Sequence, residues 1–328
     1  MKAWLLDKLG SIENLRFTDA PEPELHNGDV LLEILYSALN PADRYLAEGA
    51  YPARPALPHI LGRDGVGKVL AVGAGVSGWQ LGDHALIIRG PIGVDRPGTF
   101  AQRVAVPANC LARVPDGWTL PQASCASLVY LTAWQALTQF GSLGRSVVLI
   151  TGASGGVGVA ATQLASAMGH HVIALSRSQK KSATLRTLGA AYTADPNDPT
   201  WRKSVLSHLG SRHVDLAIDN IGGAGFSDLL HVMGMWGKIS VVGRLAGPVP
   251  EFNTASLFFR RLRIGGVAVG SYTSDEAQHA WQQVLETLAV GDHHPLIDSE
   301  FPLEQLPQAF ARLSAGPMGK VLLRVTPS

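Results

Sequence analysis

The sequence predicts an α/β protein in which a domain of alternating strands and helices, built on a parallel sheet, follows a small all-β domain. Three observations lead to this prediction. The first part of the chain consists of short strand-like runs separated by Gly and Pro, the second part alternates apolar strands with helices, and a glycine-rich loop joins one such strand to one such helix. The length of 328 residues is enough for two domains.

The first domain is expected in residues 1–120, which contain short strands bounded by turns. Strands are predicted at Val30–Leu39, Gly65–Val72 and His84–Ile88. The first of them follows the turn-prone segment Asn27-Gly28-Asp29, and strands separated by turns in this way are typical of a small all-β unit.

The sheet domain is expected in residues 121–265, and residues 266–328 are expected to finish its sheet and return to the first domain. Strands that alternate with helices predict parallel βαβ units, because the connection between parallel strands is usually a helix. The predicted elements are, in order, helix Gln122–Phe140, strand Ser146–Thr151, helix Val157–Met168, strand His171–Ser176, helix Lys180–Leu188, strands Val214–Asp219 and Lys238–Gly243, helix Ser274–Leu288 and strand Lys320–Val325.

The composition excludes several classes of protein. Lys and Arg number 27 and Asp and Glu 26, so the net charge of +1 argues against nucleic acid or an anionic membrane surface as a partner. Two cysteines, Cys110 and Cys125, are too few for a disulfide framework or a four-cysteine zinc lobe. No uncharged apolar run reaches the ~18 residues of a transmembrane helix. We therefore expect a cytoplasmic protein.

The glycine-rich loop is the strongest motif in the chain. It reads Gly152-Ala153-Ser154-Gly155-Gly156-Val157-Gly158, and it follows a predicted strand and opens a predicted helix. Glycines allow a tight turn and let a pyrophosphate approach backbone N–H groups at the start of a helix. The loop therefore predicts dinucleotide binding. The predicted ligands are Gly152, Ser154, Gly155, Gly156, Val157 and Gly158; the alternative is a glycine-rich helix start without a ligand.

The end of the second predicted strand of the sheet domain indicates which dinucleotide is bound. An NAD site usually has an acidic residue there for the ribose 2′-hydroxyl. This chain has Ser176-Arg177-Ser178-Gln179-Lys180-Lys181 instead. Ser176, Arg177 and Lys181 are suited to a 2′-phosphate, which favours NADPH over NADH. The alternative is a solvated basic start of a helix.

Further motifs keep one order along nearly the whole chain. They are Asn40-Pro41-Ala42-Asp43, Gly62-Arg63-Asp64-Gly65-Val66-Gly67, Gly82-Asp83, Gly98-Thr99-Phe100-Ala101-Gln102, Leu131-Thr132-Ala133-Trp134 and Gly319-Lys320-Val321-Leu322. With the glycine loop, they resemble the medium-chain dehydrogenase/reductase superfamily, and most closely its zinc-free quinone oxidoreductase and enoyl reductase branch. The resemblance implies a GroES-like β-barrel domain plus a Rossmann domain, which is the doubly wound sheet.

The resemblance also bears on metal binding. Zinc alcohol dehydrogenases of this superfamily carry a ligand Cys where this chain has Asn40, and a ligand His where it has Arg63. Asn is a poor zinc ligand, and Arg is always protonated and therefore cannot be one. We expect no bound metal; a zinc-type alcohol dehydrogenase is the alternative that this argument opposes.

Without a metal, a quinone or an α,β-unsaturated carbonyl compound is an easier hydride acceptor than a plain ketone. Hydride addition leaves negative charge on the carbonyl oxygen, and hydrogen-bond donors must stabilise it. The resemblance matches Asn40, Tyr45 and Tyr51 to positions where such donors lie, whereas Asp43 fits a structural carboxylate at the start of a helix.

The resemblance implies further contacts to the cofactor. It places Thr132 opposite the nicotinamide, Asn220 near a ribose, the backbone of Val242 and Gly243 near the carboxamide, and Lys320 at a phosphate. The apolar stretch Phe252–Arg261 is expected either to form a wall of the substrate pocket or to pack a helix on the sheet.

The apolar strand-like run Ile264–Val269, together with the resemblance, predicts a homodimer, because pairing an exposed edge strand with its symmetry mate removes an aggregation hazard.

A non-catalytic NADPH-binding protein is the alternative from another functional class. Turnover of NADPH with a panel of enones and quinones distinguishes it from an enzyme.

Overall fold

The computed structural model of the chain describes residues 1–247 and 253–326. The chain forms two compact units. Unit 1 consists of Met1–Leu128, Tyr272–Trp281 and His294–Ser328, and unit 2 consists of Val129–Ser271 and Gln282–His293. Both units are therefore built from segments that are not contiguous in sequence.

The strands in the described residues are β1 (Lys2–Leu6), β2 (Leu15–Asp19), β3 (Asp29–Ala38), β4 (His59–Ile60), β5 (Asp64–Val72), β6 (His84–Ile87), β7 (Arg103–Pro107), β8 (Leu111–Arg113), β9 (Val147–Ile150), β10 (His171–Leu175), β11 (Tyr192–Ala194), β12 (Val214–Asp219), β13 (Met233–Val241), β14 (Arg263–Gly266), β15 (Ile297–Pro302) and β16 (Lys320–Arg324). The α-helices are α1 (Pro41–Ala47), α2 (Leu120–Ser124), α3 (Ser127–Thr138), α4 (Gly156–Ala167), α5 (Gln179–Thr187), α6 (Trp201–Leu209), α7 (Gly225–Val232), α8 (Ala255–Arg260), α9 (Ser274–Val290) and α10 (Leu306–Ser314).

Unit 1 is built around a seven-stranded sheet. Its strand order is β15-β16-β3-β5-β6-β8, and β7 pairs with the first half of β3. The long strand β3 is antiparallel to β5, β7 and β16, and apolar side chains such as Val30, Leu32 and Ile34 are fully buried. A smaller sheet has the order β2-β1-β4. Burial of such apolar side chains contributes favourably to the stability of the unit.

Unit 2 is built around a six-stranded parallel sheet with the order β11-β10-β9-β12-β13-β14. Strand β9 reads Val147-Val148-Leu149-Ile150 and is buried throughout, as expected for a strand covered on both faces. Successive strands run from β9 outward to β11, and the chain then returns to β12 on the other side of β9. The sheet is therefore doubly wound, with its switch point between β9 and β12.

Most predicted elements agree with these bounds within a few residues, but one prediction is wrong. The single predicted helix Gln122–Phe140 is two helices, α2 and α3, because the backbone leaves helical geometry at Cys125, where φ is −112° and ψ is 7°. None of the helices in the described part of the chain has both the length and the apolar character required to cross a membrane. The predicted stretch Phe252–Arg261 begins at a residue outside the described ones; α8 covers its second half.

Candidate functional site

The glycine loop lies at the carboxyl end of β9, where it leads into α4. Strand β9 is at the switch point of the parallel sheet, with β10 on one side and β12 on the other. In doubly wound sheets the crevice at this point, outside the carboxyl ends of the strands, is where ligands bind. The fold of unit 2 therefore places the loop at the position that a dinucleotide requires.

Two glycines of the loop are required by close approach. Gly152 has a φ of 56°, and a Cβ on it would lie 2.7 Å from Ile221 Cδ1. A Cβ on Gly158 would lie 2.4 Å from the carbonyl oxygen of Gly152 and 2.5 Å from Ala153 Cα. The neighbours of Gly158 are backbone atoms, which cannot move aside as the end of a side chain can. Gly158 thus lets the first turn of α4 pack directly on the loop.

The start of α4 is suited to an anion. Its N-cap is Gly155, which has no side chain to accept from the N–H groups of the first turn, where Gly156, Val157 and Gly158 lie. Uncapped N–H groups and the helix dipole together attract phosphate. A Cβ on Gly155 would have its nearest neighbour only at 3.5 Å, so this glycine keeps open the space in front of the helix. Ser154 lies in the same turn and is half-buried.

The end of β12 forms a polar network with the end of β9. Thr151 Oγ1 donates to Asp219 Oδ1 over 2.8 Å, and Asn220 Nδ2 donates to the Thr151 carbonyl oxygen over 2.8 Å. Asn220 is 8% exposed, and its Oδ1 has no hydrogen-bond partner among the described residues. A buried acceptor without a partner at a ligand crevice fits a hydroxyl donor such as that of a ribose.

Thr151 and Asp219 were not among the predicted site residues. Their signal in the sequence was a polar residue directly after each of two apolar strand runs. Asp219 also organises the next loop, because its Oδ1 accepts from the N–H groups of Ile221 and Gly222, each over 3.1 Å. The backbone carbonyl of Asp219 accepts from Val242 and Gly243 over 2.9 and 3.2 Å.

The predicted approach of Val242 and Gly243 to a ligand is therefore restricted. Their N–H groups already donate to Asp219, so their carbonyl oxygens are the backbone groups left for a carboxamide. A Cβ on Gly243 would lie 2.5 Å from the Asn220 carbonyl oxygen, which explains why glycine occurs there. Thr132 is buried on α3, and its contact with a nicotinamide stays a prediction.

The basic segment after β10 is the third part of the crevice edge. Ser176 is buried, Arg177 is exposed, and Lys181 lies in the first turn of α5. Ser178 is the N-cap of α5, and its hydroxyl accepts from the N–H of Lys181 over 3.4 Å. Arg177 is thus held just before the helix, where a positive side chain can reach a phosphate. The glycine cradle, the uncapped helix and the orphaned Asn220 oxygen fit a dinucleotide.

Unit 1 contains a buried charged cluster, formed by Asn40, Asp64 and Lys320. The ammonium group of Lys320 lies 2.6 Å from Asn40 Oδ1 and 3.1 Å from Asp64 Oδ2, and the Lys320 residue is 5% exposed. Asp64 Oδ1 accepts from Ser127 Oγ over 3.0 Å and from Leu128 N–H over 3.2 Å. The Asp64 carboxylate therefore joins the ends of several chain segments.

This cluster contains two of the predicted site residues. The ammonium group of Lys320, predicted at a cofactor phosphate, is buried beside the carboxylate of Asp64, and its contact with a phosphate stays a prediction. Asn40 was expected to donate to a substrate or to position the nicotinamide. Its Nδ2 instead donates to Asp64 Oδ2 over 3.0 Å and to the Ala38 carbonyl over 3.4 Å, so both amide hydrogens have acceptors. Both residues hold the cluster together.

Asp43 and Arg63 form a second buried pair next to this cluster. Asp43 is fully buried, its Oδ2 accepts from Asn40 N–H over 2.8 Å, and its Oδ1 lies 3.4 Å from Arg63 Nε. Burial raises the pKa of Asp43 from its ordinary value of 3.8 to about 6, although the nearby Arg63 guanidinium opposes this rise. Asp43 acts as the structural carboxylate that the sequence favoured.

The two predicted tyrosines follow Asp43 closely in the chain. Tyr45 is half-buried on α1, and Tyr51 is half-buried in the segment that follows it. The N–H of Tyr51 donates to the Tyr45 carbonyl over 3.1 Å, which fixes the turn between them. The Arg63 guanidinium carbon lies 4.2 Å from the centre of the Tyr51 ring. Which of the two phenols meets a substrate stays a prediction.

We expect the raised pKa of Asp43 to make stability depend on pH. The native state holds this proton more tightly than the unfolded chain does, so the contribution is fully present below pH 3.8 and is lost as the pH rises through about 6. Relative to Asp43→Asn, the wild type should lose on the order of 2–3 kcal/mol of unfolding free energy between pH 4 and pH 7.5. Urea unfolding at several pH values measures this difference, and a constant difference would contradict it.

Known proteins match both parts of the chain. Residues 26–116 match the family model of the alcohol dehydrogenase GroES-like domain, and residues 156–289 match the model of zinc-binding dehydrogenases. A quinone oxidoreductase of Lama guanicoe is 28% identical over 330 residues, which cover 98% of this chain and 97% of that protein. These matches and the sheet order confirm the predicted fold class.

Solved structures agree with this result. The crystal structure of an NAD-dependent alcohol dehydrogenase aligns with a TM-score of 0.90 at 28% identity, over 99% of this chain and 100% of that one. A mycobacterial protein solved in complex with NADPH aligns with a TM-score of 0.88 at 26% identity, again over 99% and 100% of the two chains.

Proposed function

Because the chain belongs to the quinone oxidoreductase branch of the medium-chain dehydrogenase/reductase superfamily and is an oxidoreductase, we propose that it is an NADPH-dependent reductase of quinones or α,β-unsaturated carbonyl compounds. The observation that carries this proposal is the switch-point crevice of unit 2, with its glycine cradle and its basic edge. The proposal has three parts, which are the choice of NADPH, the independence from metal and the class of acceptor.

The choice of NADPH is supported by the residues after β10. A 2′-phosphate carries negative charge that an acidic residue repels and that Arg and Lys attract. Arg177 is exposed at this position, Lys180 follows it, and the chain has no acidic residue between Ser176 and Lys181. These residues include no acidic side chain, which is the usual partner of the ribose 2′-hydroxyl of NADH.

Arg177→Ala should weaken NADPH much more than NADH. One charge-assisted hydrogen bond is worth about 1.5–3 kcal/mol, which corresponds to a loss of about 10- to 100-fold in affinity for NADPH. Titration of both cofactors against wild type and variant measures it. Lys203→Ala, which removes an exposed positive charge from α6, is the matched control. Equal affinities of the wild type for NADPH and NADH would contradict the choice of cofactor.

The independence from metal is supported by the charges in unit 1. Where zinc-dependent members carry Cys and His ligands, this chain carries Asn40 and Arg63. The amide oxygen of Asn40 accepts from the Lys320 ammonium group, and the Arg63 guanidinium lies beside Asp43. The Arg63 guanidinium and the Lys320 ammonium group already neutralise the carboxylates of Asp43 and Asp64, so these carboxylates attract a divalent ion only weakly.

The chemistry left to the chain is binding, orientation and donation of a hydrogen bond. NADPH, when bound, supplies the hydride. The glycine loop and the Asp219 network hold the dinucleotide, and Arg177 and Lys181 select its phosphate. The resemblance matches Tyr45 and Tyr51 to the place where the acceptor oxygen becomes negative, and the amide of Asn40 already donates to Asp64 Oδ2 over 3.0 Å and to the Ala38 carbonyl over 3.4 Å.

NADPH oxidation against a panel of quinones, enones, plain ketones and aldehydes tests the proposal. We expect turnover with the activated acceptors, no turnover with the plain ketones, and less than one tenth of an equivalent of zinc in protein purified without a metal-affinity tag. Alcohol oxidation that depends on stoichiometric zinc would instead support the alcohol dehydrogenase alternative. Tight NADPH binding without turnover of any acceptor would support the non-catalytic alternative.

The homodimer stays a prediction, and β14 is the strand that supports it. It ends the sheet order of unit 2, and Ile264 on it is 40% exposed. We expect light scattering to give twice the chain mass of 34.7 kDa. Ile264→Lys should shift the population to monomer, because a charge on an edge strand opposes pairing with another edge. Leu81→Lys, at an exposed leucine of unit 1, is the control that should leave the mass unchanged.

A further inference from the structure

Arg63 is a buried cation that has no role in the proposed reaction as described so far. Its side chain is 10% exposed, and three neighbours hold it. Its Nε lies 3.4 Å from Asp43 Oδ1, its Nη2 donates to the Ala42 carbonyl over 3.3 Å, and its guanidinium carbon lies 4.2 Å from the centre of the Tyr51 ring. The first two contacts are with the start of α1, and the third is with a residue that follows the end of α1.

The ring of Tyr51 needs such a neighbour. Tyr51 lies outside regular secondary structure, where the backbone holds a side chain less firmly than a helix or strand does. Tyr51 packs against the apolar core of unit 1, and the Arg63 guanidinium lies over its ring. A cation above the face of an aromatic ring is attracted by the electron density of the ring, and the attraction is larger when the pair is removed from water.

Asp43 attracts Arg63 by charge: its Oδ1 lies 3.4 Å from Arg63 Nε, and neither of these two buried atoms has a hydrogen-bond partner among the described residues. The carboxylate is fully buried and accepts from the N–H of Asn40, so it cannot move to follow the guanidinium. The planar guanidinium can meet a carboxylate along its edge while its face lies on a ring, whereas the ammonium group of a lysine is a point charge that has no such face. The contact with Tyr51 therefore depends on arginine at this position and not only on a positive charge.

We propose that Arg63 is a positioning residue, which fixes the ring of Tyr51 so that its hydroxyl is held ready to donate to the acceptor oxygen. This inference rests on the proposed function, because it assigns Arg63 a part in the same reaction. Arg63 touches neither substrate nor cofactor in this role and acts only through Tyr51.

A double-mutant cycle with Arg63→Lys and Tyr51→Phe tests the inference. Lysine keeps the charge beside Asp43, so the buried carboxylate retains a partner and the fold is preserved. With Tyr51 present, Arg63→Lys should lower kcat on an enone by about 5- to 30-fold, the factor that corresponds to a buried cation–ring contact. In the Tyr51→Phe background the same change should lower kcat less than twofold, and the Kd for NADPH should change less than twofold in both. Equal losses in the two backgrounds would overturn the inference.

The matched control is Arg113→Lys. Arg113 also lies above an aromatic ring in unit 1, with its guanidinium carbon 5.0 Å from the centre of the Trp79 ring. The substitution is the same and the type of contact is the same, but the pair is not part of the site. We expect kcat within twofold of the wild type. A loss equal to that of Arg63→Lys would show a general effect of the substitution and would overturn the assignment to Tyr51.

A measurement without turnover separates this inference from the proposed function. Protein labelled with 3-fluorotyrosine gives a ¹⁹F resonance for Tyr51, which is identified by its loss in Tyr51→Phe. Arg63→Lys should shift or broaden this resonance and leave that of Tyr192, in unit 2, unchanged. An unchanged Tyr51 resonance would overturn the positioning role even if the enzyme is active. If no acceptor oxidises NADPH, the proposed function fails, and the resonance still decides whether Arg63 holds the ring.

Discussion

Tyr51→Phe is expected to lower kcat on an enone by about 10²–10³-fold, or ~2.7–4 kcal/mol, while the affinity for NADPH stays the same. The reason is that hydride addition creates an oxyanion, and a phenol hydroxyl is a neutral donor that can meet it. The structure favours the two tyrosines over Asn40 as donors to the oxyanion, because the side-chain amide of Asn40 already makes hydrogen bonds with Asp64, Ala38 and Lys320. Tyr45→Phe is the parallel variant that decides which phenol donates.

The measurement is steady-state NADPH oxidation together with titration of NADPH by fluorescence. Quinones should respond less to either variant, because a quinone is already a strong hydride acceptor and water readily protonates its product. Tyr192→Phe, which removes a phenol oxygen in unit 2, is the control and should change kcat less than twofold. If both Tyr45→Phe and Tyr51→Phe keep wild-type kcat on every accepted enone, protein hydroxyls do not stabilise the oxyanion, and both rings serve packing alone.

Gly158→Ala is expected to abolish measurable NADPH binding and to lower the free energy of unfolding by about 1–3 kcal/mol. The added Cβ would lie 2.4 Å from the Gly152 carbonyl oxygen and 2.5 Å from Ala153 Cα, well inside van der Waals contact. The loop must therefore move away from the first turn of α4, and the pyrophosphate cradle changes shape. Calorimetric titration of NADPH and thermal unfolding measure the two effects.

Gly225→Ala is the matched control for this substitution. Gly225 is the first residue of α7 in the same unit, and a Cβ there meets no atom within 4 Å. Alanine is a better helix former than glycine, so this variant should be as stable as the wild type or slightly more stable. Unchanged NADPH affinity in Gly158→Ala would show that α4 does not pack on the loop as described.

The sequence was sufficient to predict the fold class and the strand, glycine loop and helix at the switch point of unit 2. The strand before the glycine loop and the helix after it are local features, because apolar periodicity and glycine spacing are read within one stretch of chain. β12 was predicted at Val214–Asp219, the bounds that the structure has. The remaining part of the fold-class prediction came from the resemblance of the ordered motifs to a known superfamily. The comparisons confirm that fold class.

The contacts of Lys320 and Asn40 could not be predicted from local sequence patterns. Lys320 pairs with groups 280 and 256 positions earlier in the chain, and no local pattern connects them. A lysine after glycine near a strand start is compatible with a phosphate contact as well as with a buried ion pair. Arg63 was noted only as a residue that cannot bind zinc, because its contact with Tyr51 depends on side-chain directions that sequence spacing does not reveal.

The segmented construction of unit 1 has a consequence for the order of folding during synthesis. The stretch Tyr36–Ala38 of β3 pairs with β16, and Asp64 has its counter-charge in Lys320, at the start of that same strand. Until the ribosome has made β16, the edge of β3 at Tyr36–Ala38 therefore has no partner strand, and burial of the Asp64 carboxylate lacks its counter-charge. Unit 2 needs the chain only as far as His293. The unit that leaves the ribosome first is thus the one completed last, and an open strand edge that persists during synthesis is a site where a nascent chain can aggregate.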